Sequence, residues 1–300
     1  SLRDEFGQTL GKAVPLQFKV GPAEPALHSV GGPLVVVEPQ GRPTYPVFTV
    51  NQPALKVRLY QVQPTDWAAW MTWQREAWRN PRPPIPGRKV FDGQVPVKAA
   101  ADEYAEVGID LSPALVQGRG QVLVLVQPTA LPKGYHGDGL VAAWVQVTSM
   151  GLEAFHDSSS LVGWVSSLQD GRPLAGVQLQ APGSGLSGQT GADGTSTLTL
   201  GDKSSRDDIL VARQGNDVAF LPQGPIGGRG WNRQVQPDSM RWFVFDDRGI
   251  YRPGETVHLK GWARRVGAGP QGDISALQDF ARTVDWTLLD SRGNELSKGQ

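Results

Sequence analysis

Trp144 and Trp242 stand 98 residues apart, and the same offset separates Gly151 from Gly249, Leu152 from Ile250, Leu161 from Leu259, Gly163 from Gly261 and Trp164 from Trp262. Six pairs at one spacing mark an internal repeat. The period is too long for a solenoid unit and matches a β-sandwich of about 100 residues. Each copy opens with an apolar strand, turns at a glycine and continues as an alternating strand. A third stretch, YPVFTVNQPALKVRLYQV at residues 45–62, has the same shape without matching residue by residue. The repeat therefore predicts consecutive sandwich modules.

Composition points the same way. The 37 Gly and 24 Pro among 300 residues, with 19% charged, punctuate many short strands rather than long helices. The expected fold class is all-β: tandem Ig-like antiparallel sandwiches with one short helix. Basic and acidic residues both number 29, so no overall field would gather nucleic acid or an anionic membrane. Cysteine is absent, which excludes disulfides, thiolate metal sites and a cysteine nucleophile from these residues. No apolar run approaches the length of a membrane span, and residues 1–20 lack the basic-then-apolar order of a signal peptide.

LRDEFGQTL at residues 2–10 and LLDSRGNEL at 288–296 both read as hairpins, so the chain is expected to be a piece of a longer protein. Glycine- and proline-rich stretches at residues 21–25, 128–139 and 222–238 set the expected boundaries. They divide the chain into the tail of a preceding Ig-like domain (1–24), two modules (25–133 and 134–236) and the truncated start of another (237–300), the modules each with a core of its own.

PTDWAAWMTWQREAWRN at residues 64–80 predicts the helix, with Thr65 or Asp66 as N-cap and Trp67, Trp70, Met71, Gln74 and Trp78 near one face. Four tryptophans, Trp73 included, invite a sugar or peptide platform. The plainer reading is a helix that plugs one end of a sandwich with its large residues in the core.

The residues offer no catalytic constellation. His28, His136, His156 and His258 are scattered without metal-ligand spacing, and no metal or cofactor is expected. GSGLSG at residues 183–188 fits a dinucleotide fingerprint by letter, but a turn and strand follow where a helix N-terminus is needed. Asp207–Asp208 and Asp246–Asp247 could hold Ca2+ between modules, although turn and capping roles suit such pairs better.

The run FDDRGIYRPGETVHLKGWAR at residues 245–264 ends one strand, turns, and starts another. Proline presets φ at the second position of a turn and glycine tolerates positive φ at the third, so Pro253 and Gly254 predict a type II turn. Asp247, Arg248, Gly249, Tyr251, Arg252, Pro253, Gly254 and Glu255 all match the hallmark of a macroglobulin-like domain, and the run closely resembles the alpha-2-macroglobulin family. Residues 45–67 and 144–177 resemble the two preceding domains in the bacterial branch, and the resemblance spans nearly the whole chain from about Pro25. These matched residues are expected to be a structural turn rather than a site.

The resemblance implies structural domains of a broad endopeptidase inhibitor, a protease trap serving bacterial defence. A protease cuts a bait region, the ring of domains collapses on it, and many members then bond it through a Cys-x-Glu-Gln thioester. Neither bait nor thioester is recognisable here. The implied partners are proteases, through the full-length protein, and neighbouring domains of the same chain. The implied place is the periplasm or cell envelope, with a lipoprotein anchor outside this segment. An Ig-like adhesin or carbohydrate-binding array is the alternative, and an enzyme is not expected.

Overall fold

The computed structural model describes residues 3–9, 15, 17–77, 83–203, 208–224, 231–233, 237–252, 254–269, 272–277 and 283–300. Trp78, Asp207 and Pro253 lie outside the described residues. The first strands are β1 (Ala26–Ser29), β2 (Leu34–Val37), β3 (Thr44–Val50) and β4 (Ala54–Val62). The helix α1 (Trp67–Glu76), β5 (Arg88–Pro96), β6 (Tyr104–Asp110), β7 (Gly120–Pro128) and β8 (Val141–Val147) follow. Next come β9 (Met150–His156), β10 (Ser160–Ser167), β11 (Gln178–Ala181), β12 (Leu186–Gln189), β13 (Thr195–Thr199), β14 (Ile209–Gln214) and β15 (Asp217–Pro222). The last are β16 (Ser239–Asp246), β17 (Leu259–Val266), β18 (Ile274–Ser275), β19 (Trp286–Leu289) and β20 (Glu295–Gly299). The described residues thus form a series of β-sheets with one short α-helix. It divides into two compact units, one of residues 1–155, 162–198 and 203–231, the other of 156–161, 199–202 and 232–300.

The first unit opens with a sandwich. A sheet ordered β1-β3-β6 faces a five-stranded sheet ordered β2-β8-β7-β4-β5. Tyr45, Val47, Leu55, Val57, Leu59, Ile109 and the inward residues of β7 and β8 fill the space between them. All these pairings are antiparallel except β2 with β8, which run parallel from Leu34 beside Trp144 to Val37 beside Val147. The boundary expected at residues 133/134 therefore falls inside a sheet. β8 pairs with β7 along its length and belongs to the first sandwich, not to the second module.

VLVLV in β7 (residues 122–126) is an unbroken apolar run because both its faces are covered. Val122, Val124 and Val126 point into the sandwich, while Leu123 and Leu125 join a second cluster with α1 and β14–β15. A strand buried on both faces loses the alternation of a half-solvated one. Trp67, Trp70, Met71 and Trp73 of α1 are buried in this second cluster, together with Trp144, Ile209, Val211 and Phe220. The helix thus packs on the outer face of the five-stranded sheet, not at a sandwich end, and the first two modules share this cluster. Asp66 accepts from Gln63 N–H at 2.9 Å and so closes the short 3-10 turn Pro64–Asp66 that leads into α1.

Two more sheets, ordered β13-β10-β9 and β12-β11-β14-β15, make the second module. Gly163 allows Leu179 to approach, since a Cβ there would sit 2.5 Å from Leu179 Cδ1. In the second unit, β16-β17-β18 form one sheet and β19-β20 a hairpin. The hairpin at residues 288–296 is present, and the one at 2–10 shows an Arg3–Thr9 bridge.

The six-residue repeat does not extend to strand pairing. Trp242 and Trp262 lie on β16 and β17, which pair with each other, whereas Trp144 and Trp164 lie on β8 and β10, which belong to different sheets. Gly249 has a φ of 75°, yet its counterpart Gly151 is not among the positive-φ glycines.

Candidate functional site

The sequence-matched run makes the corner between β16 and β17. Gly254 has a φ of 84°, and Glu255 N–H donates to Arg252 O at 3.1 Å, the bond that closes a four-residue turn. Glu255 Oε2 in turn accepts from Arg252 N–H at 3.0 Å and lies 3.6 Å from Arg248 Nη1. The Tyr251 hydroxyl donates a short hydrogen bond to Asp247 Oδ1 and accepts from Arg248 N–H at 3.1 Å. Asp247 Oδ1 also receives His258 N–H at 3.3 Å, which ties the corner to the approach of β17. The Arg248 guanidinium covers the Tyr251 ring at 5.0 Å.

This donation by Tyr251 holds the Asp247 carboxyl below the ordinary carboxylate range, while desolvation first and then the bond to Asp247 push the Tyr251 phenol up. Six of the eight matched residues, Asp247, Arg248, Tyr251, Arg252, Gly254 and Glu255, are brought into one bonded corner. Gly249 supplies its positive φ, and Pro253 lies outside the described residues. The polar groups bond to one another, which is the chemistry of a turn.

A second constellation escaped the sequence reading. β15 is the outer strand of its sheet, and the side chains of β7 and β8 satisfy its free edge. Gln146 Nε2 donates to Phe220 O at 2.8 Å while its Oε1 accepts from Phe220 N–H at 2.7 Å. Gln121 Nε2 donates to Val218 O at 2.8 Å, and its Oε1 takes the Trp144 indole N–H at 2.9 Å. Asp217, at the start of β15, accepts from Thr148 Oγ1 at 2.6 Å, from Ser149 N–H at 3.0 Å, from the Ser149 hydroxyl and from Arg119 Nε at 3.1 Å. Trp67, Trp144 and Phe220 meet edge to face beside these bonds, at 5.2 to 5.6 Å. The signal was present: Gln121 and Gln146 are polar residues inside apolar strands, and such residues need buried partners.

The other sequence candidates resolve into local roles. Trp67, Trp70 and Trp73 are buried, so their rings form no exposed platform. Asp208 accepts from Gly183 N–H, Ser184 Oγ and Ile209 N–H at 2.6 to 2.9 Å, a capping role. The GSGLSG run enters β12 and is followed by a turn closed by Gly194 N–H to Gly191 O, then β13. A cleft of about 390 Å³ beside α1 is lined by Gln63, Thr65, Trp67, Ile209 and Arg213 among others. Among the described residues no group of His, Asp or Glu is arranged to hold a metal ion, and no helix is long and apolar enough to cross a membrane.

These sheets and corners define a class, tandem Ig-like sandwich domains. More particularly, the fold is that of bacterial alpha-2-macroglobulin domains. The Salmonella alpha-2-macroglobulin reacted with methylamine superposes with a TM-score of 0.53 at 16% identity, over 93% of this chain and 16% of that one. The NIE-MG1 portion of native Escherichia coli alpha-2-macroglobulin gives 0.51 at 16% identity, over 67% of this chain and 97% of that one. A curated relative, the circularly permutated Ras protein 2 of Dictyostelium discoideum, is 26% identical over 190 residues. That match takes 52% of this chain but only 5% of the relative. No protein-family model matches the chain.

Proposed function

We propose that this chain supplies structural domains to a bacterial protease trap of the alpha-2-macroglobulin type, and that it is not an enzyme. The observation that carries this reading is the corner at Asp247–Glu255: the residues that carry the family resemblance bond to one another, as scaffold residues would. The likeness of fold along 93% of the chain supports the same reading. So does the bonding of β15 to β7 and β8, since a frame that transmits a collapse needs modules that move as a body.

In this proposal the partner is a protease, met through a longer parent chain. That parent would bring the bait, and any thioester cysteine would have to come from it, since these 300 residues hold no cysteine. The periplasmic face of the cell envelope, with a lipid anchor outside this segment, is the proposed location.

The test adds the purified chain to trypsin and follows cleavage of a small peptide and of a large protein. Both rates stay unchanged if the chain is frame alone. A longer protein containing it slows the large substrate and spares the small one. Dose-dependent loss of trypsin activity with the 300-residue chain by itself would overturn the proposal.

A further inference from the structure

The cleft beside the start of α1, within the first unit, has an apolar wall and two charged residues that differ in what they have left to offer. Pro64 and Trp67 form the wall on one side, Ile209 and Val211 of β14 on the other, and all four are buried. Side chains two apart on a strand share a face, so Arg213 leaves β14 on the same side as Ile209 and Val211 and continues the lining.

Asp208 is buried, and its carboxylate already accepts from Gly183 N–H, Ser184 Oγ and Ile209 N–H. Those bonds commit it to its own turn. Arg213 is exposed and, among the described residues, meets no carboxylate. The residue opposite it on β11 is the neutral Gln178. Asp208 is also too far away to serve, since five residues of extended chain span about 16 Å at about 3.3 Å each. The cleft therefore holds one uncommitted cation at the end of an apolar wall.

We propose that this cleft binds a small monocarboxylic acid with an apolar body, such as an aryl acid. The carboxylate pairs with the Arg213 guanidinium, whose planar fork matches it, and the apolar body covers the wall. A volume of about 390 Å³ falls within the range of about 300–1,000 Å³ usual for small-ligand sites. Two observations favour this occupant over larger ones. β11 and β14 are both interior strands of their sheet, so the cleft offers no open edge to which a peptide backbone could add. Trp67 is 1% exposed and its ring is set against Trp144 and Phe220, so it offers no open face on which a nucleobase could stack. The inference goes beyond the trap reading and does not rest on it.

The test titrates the 300-residue chain with naphthoate by isothermal titration calorimetry. One saturable site is expected, with an affinity about tenfold or more above that for the uncharged naphthylmethanol. Arg213→Gln should lower the naphthoate affinity about tenfold, and Gln178→Glu, which sets a carboxylate opposite Arg213, should lower it similarly. Ala68→Trp, at an exposed position of the lining, should fill the cleft and abolish binding. Circular dichroism checks that each variant is folded, and the two charge variants, both at exposed positions, decide if Ala68→Trp is not. The absence of a saturable site, an unchanged affinity in either charge variant, binding that survives a folded Ala68→Trp, equal affinity for naphthylmethylamine, or tighter binding of adenosine monophosphate or of an acetylated Val-Glu-Val peptide would overturn the proposal.

Discussion

Trp144 and Trp242 occupy matching positions of the sequence repeat and end in opposite environments. Trp144 is fully buried, its indole N–H bonded to Gln121 and its ring set edge to face against Trp67 and Phe220. Trp242 is 54% exposed, on a strand whose every residue is exposed. The strands are alike in local character, with β-branched and aromatic residues that suit a pleated surface. The difference lies in what covers them. In the first unit α1 and β14–β15 lie over the outer face of the five-stranded sheet, whereas among the described residues of the second unit no helix or further sheet covers β16. A strand's sequence states which faces can be buried, and other elements decide whether they are.

The comparison can be broken most directly by truncating both tryptophans. Trp144→Ala is expected to cost about 3–5 kcal/mol of stability, the usual loss for a large buried aromatic. Trp242→Ala is expected to stay within about 0.5 kcal/mol, as at an exposed position. Urea unfolding of each variant measures both, and similar losses would end the contrast.

Next in size is the bonding of β15. Gln146→Ala leaves the Phe220 N–H and C=O without their partner in a buried place, which should cost about 1–3 kcal/mol. A double-mutant cycle of Gln146→Ala with Gln121→Ala should show coupling, because both act on the same edge of β15. Additive losses would mean that the two glutamines act separately.

At the corner of the second unit, Gly254→Val forces a branched residue to a φ of 84°, at a cost of about 1–3 kcal/mol. Glu255→Gln keeps an oxygen for the Arg252 N–H and should cost less than about 1 kcal/mol. The pair is compared by thermal denaturation, and a harmless Gly254→Val would refute the turn.

The smallest effect expected is acid loss in the first unit. A hydrogen bond from Arg42, at 2.5 Å, holds the Asp110 carboxyl down to about 2 from an ordinary 3.8. A carboxylate with a depressed folded pKa stabilises the fold above its unfolded value, and that contribution is lost as pH falls through the folded one. Stability should therefore decline between about pH 4 and about pH 2, and Asp110→Asn should flatten that limb of the denaturation profile. An unaltered limb would assign the acid sensitivity elsewhere.

Much of the fold was legible because it is local. Gly254 and Glu255 close a turn through bonds within a few residues, and Asp4, Asp193 and Asp290 accept turn N–H groups in the same way. The helix was legible from tryptophan and methionine spacing, since its buried face follows a helical period. The boundary near residue 133 was misread because a polar, glycine-rich loop looks the same whether it joins two domains or two strands of one sheet. The role of Gln121 and Gln146 was hidden for a related reason: their partners are on β15, more than 70 residues further along the chain.

The sequence by itself determined the β class, the positions of several turns and the short tryptophan-bearing helix. These rest on backbone preferences and on hydrogen bonds between near neighbours, which any fold containing the segment must satisfy. Only the tertiary structure decided that β8 completes the first sandwich, that α1 lies on the outer face of its sheet, and that Trp144 is buried while Trp242 is not. Burial depends on which distant surface arrives to displace water, and the period of a strand records only that one face is fit to receive it.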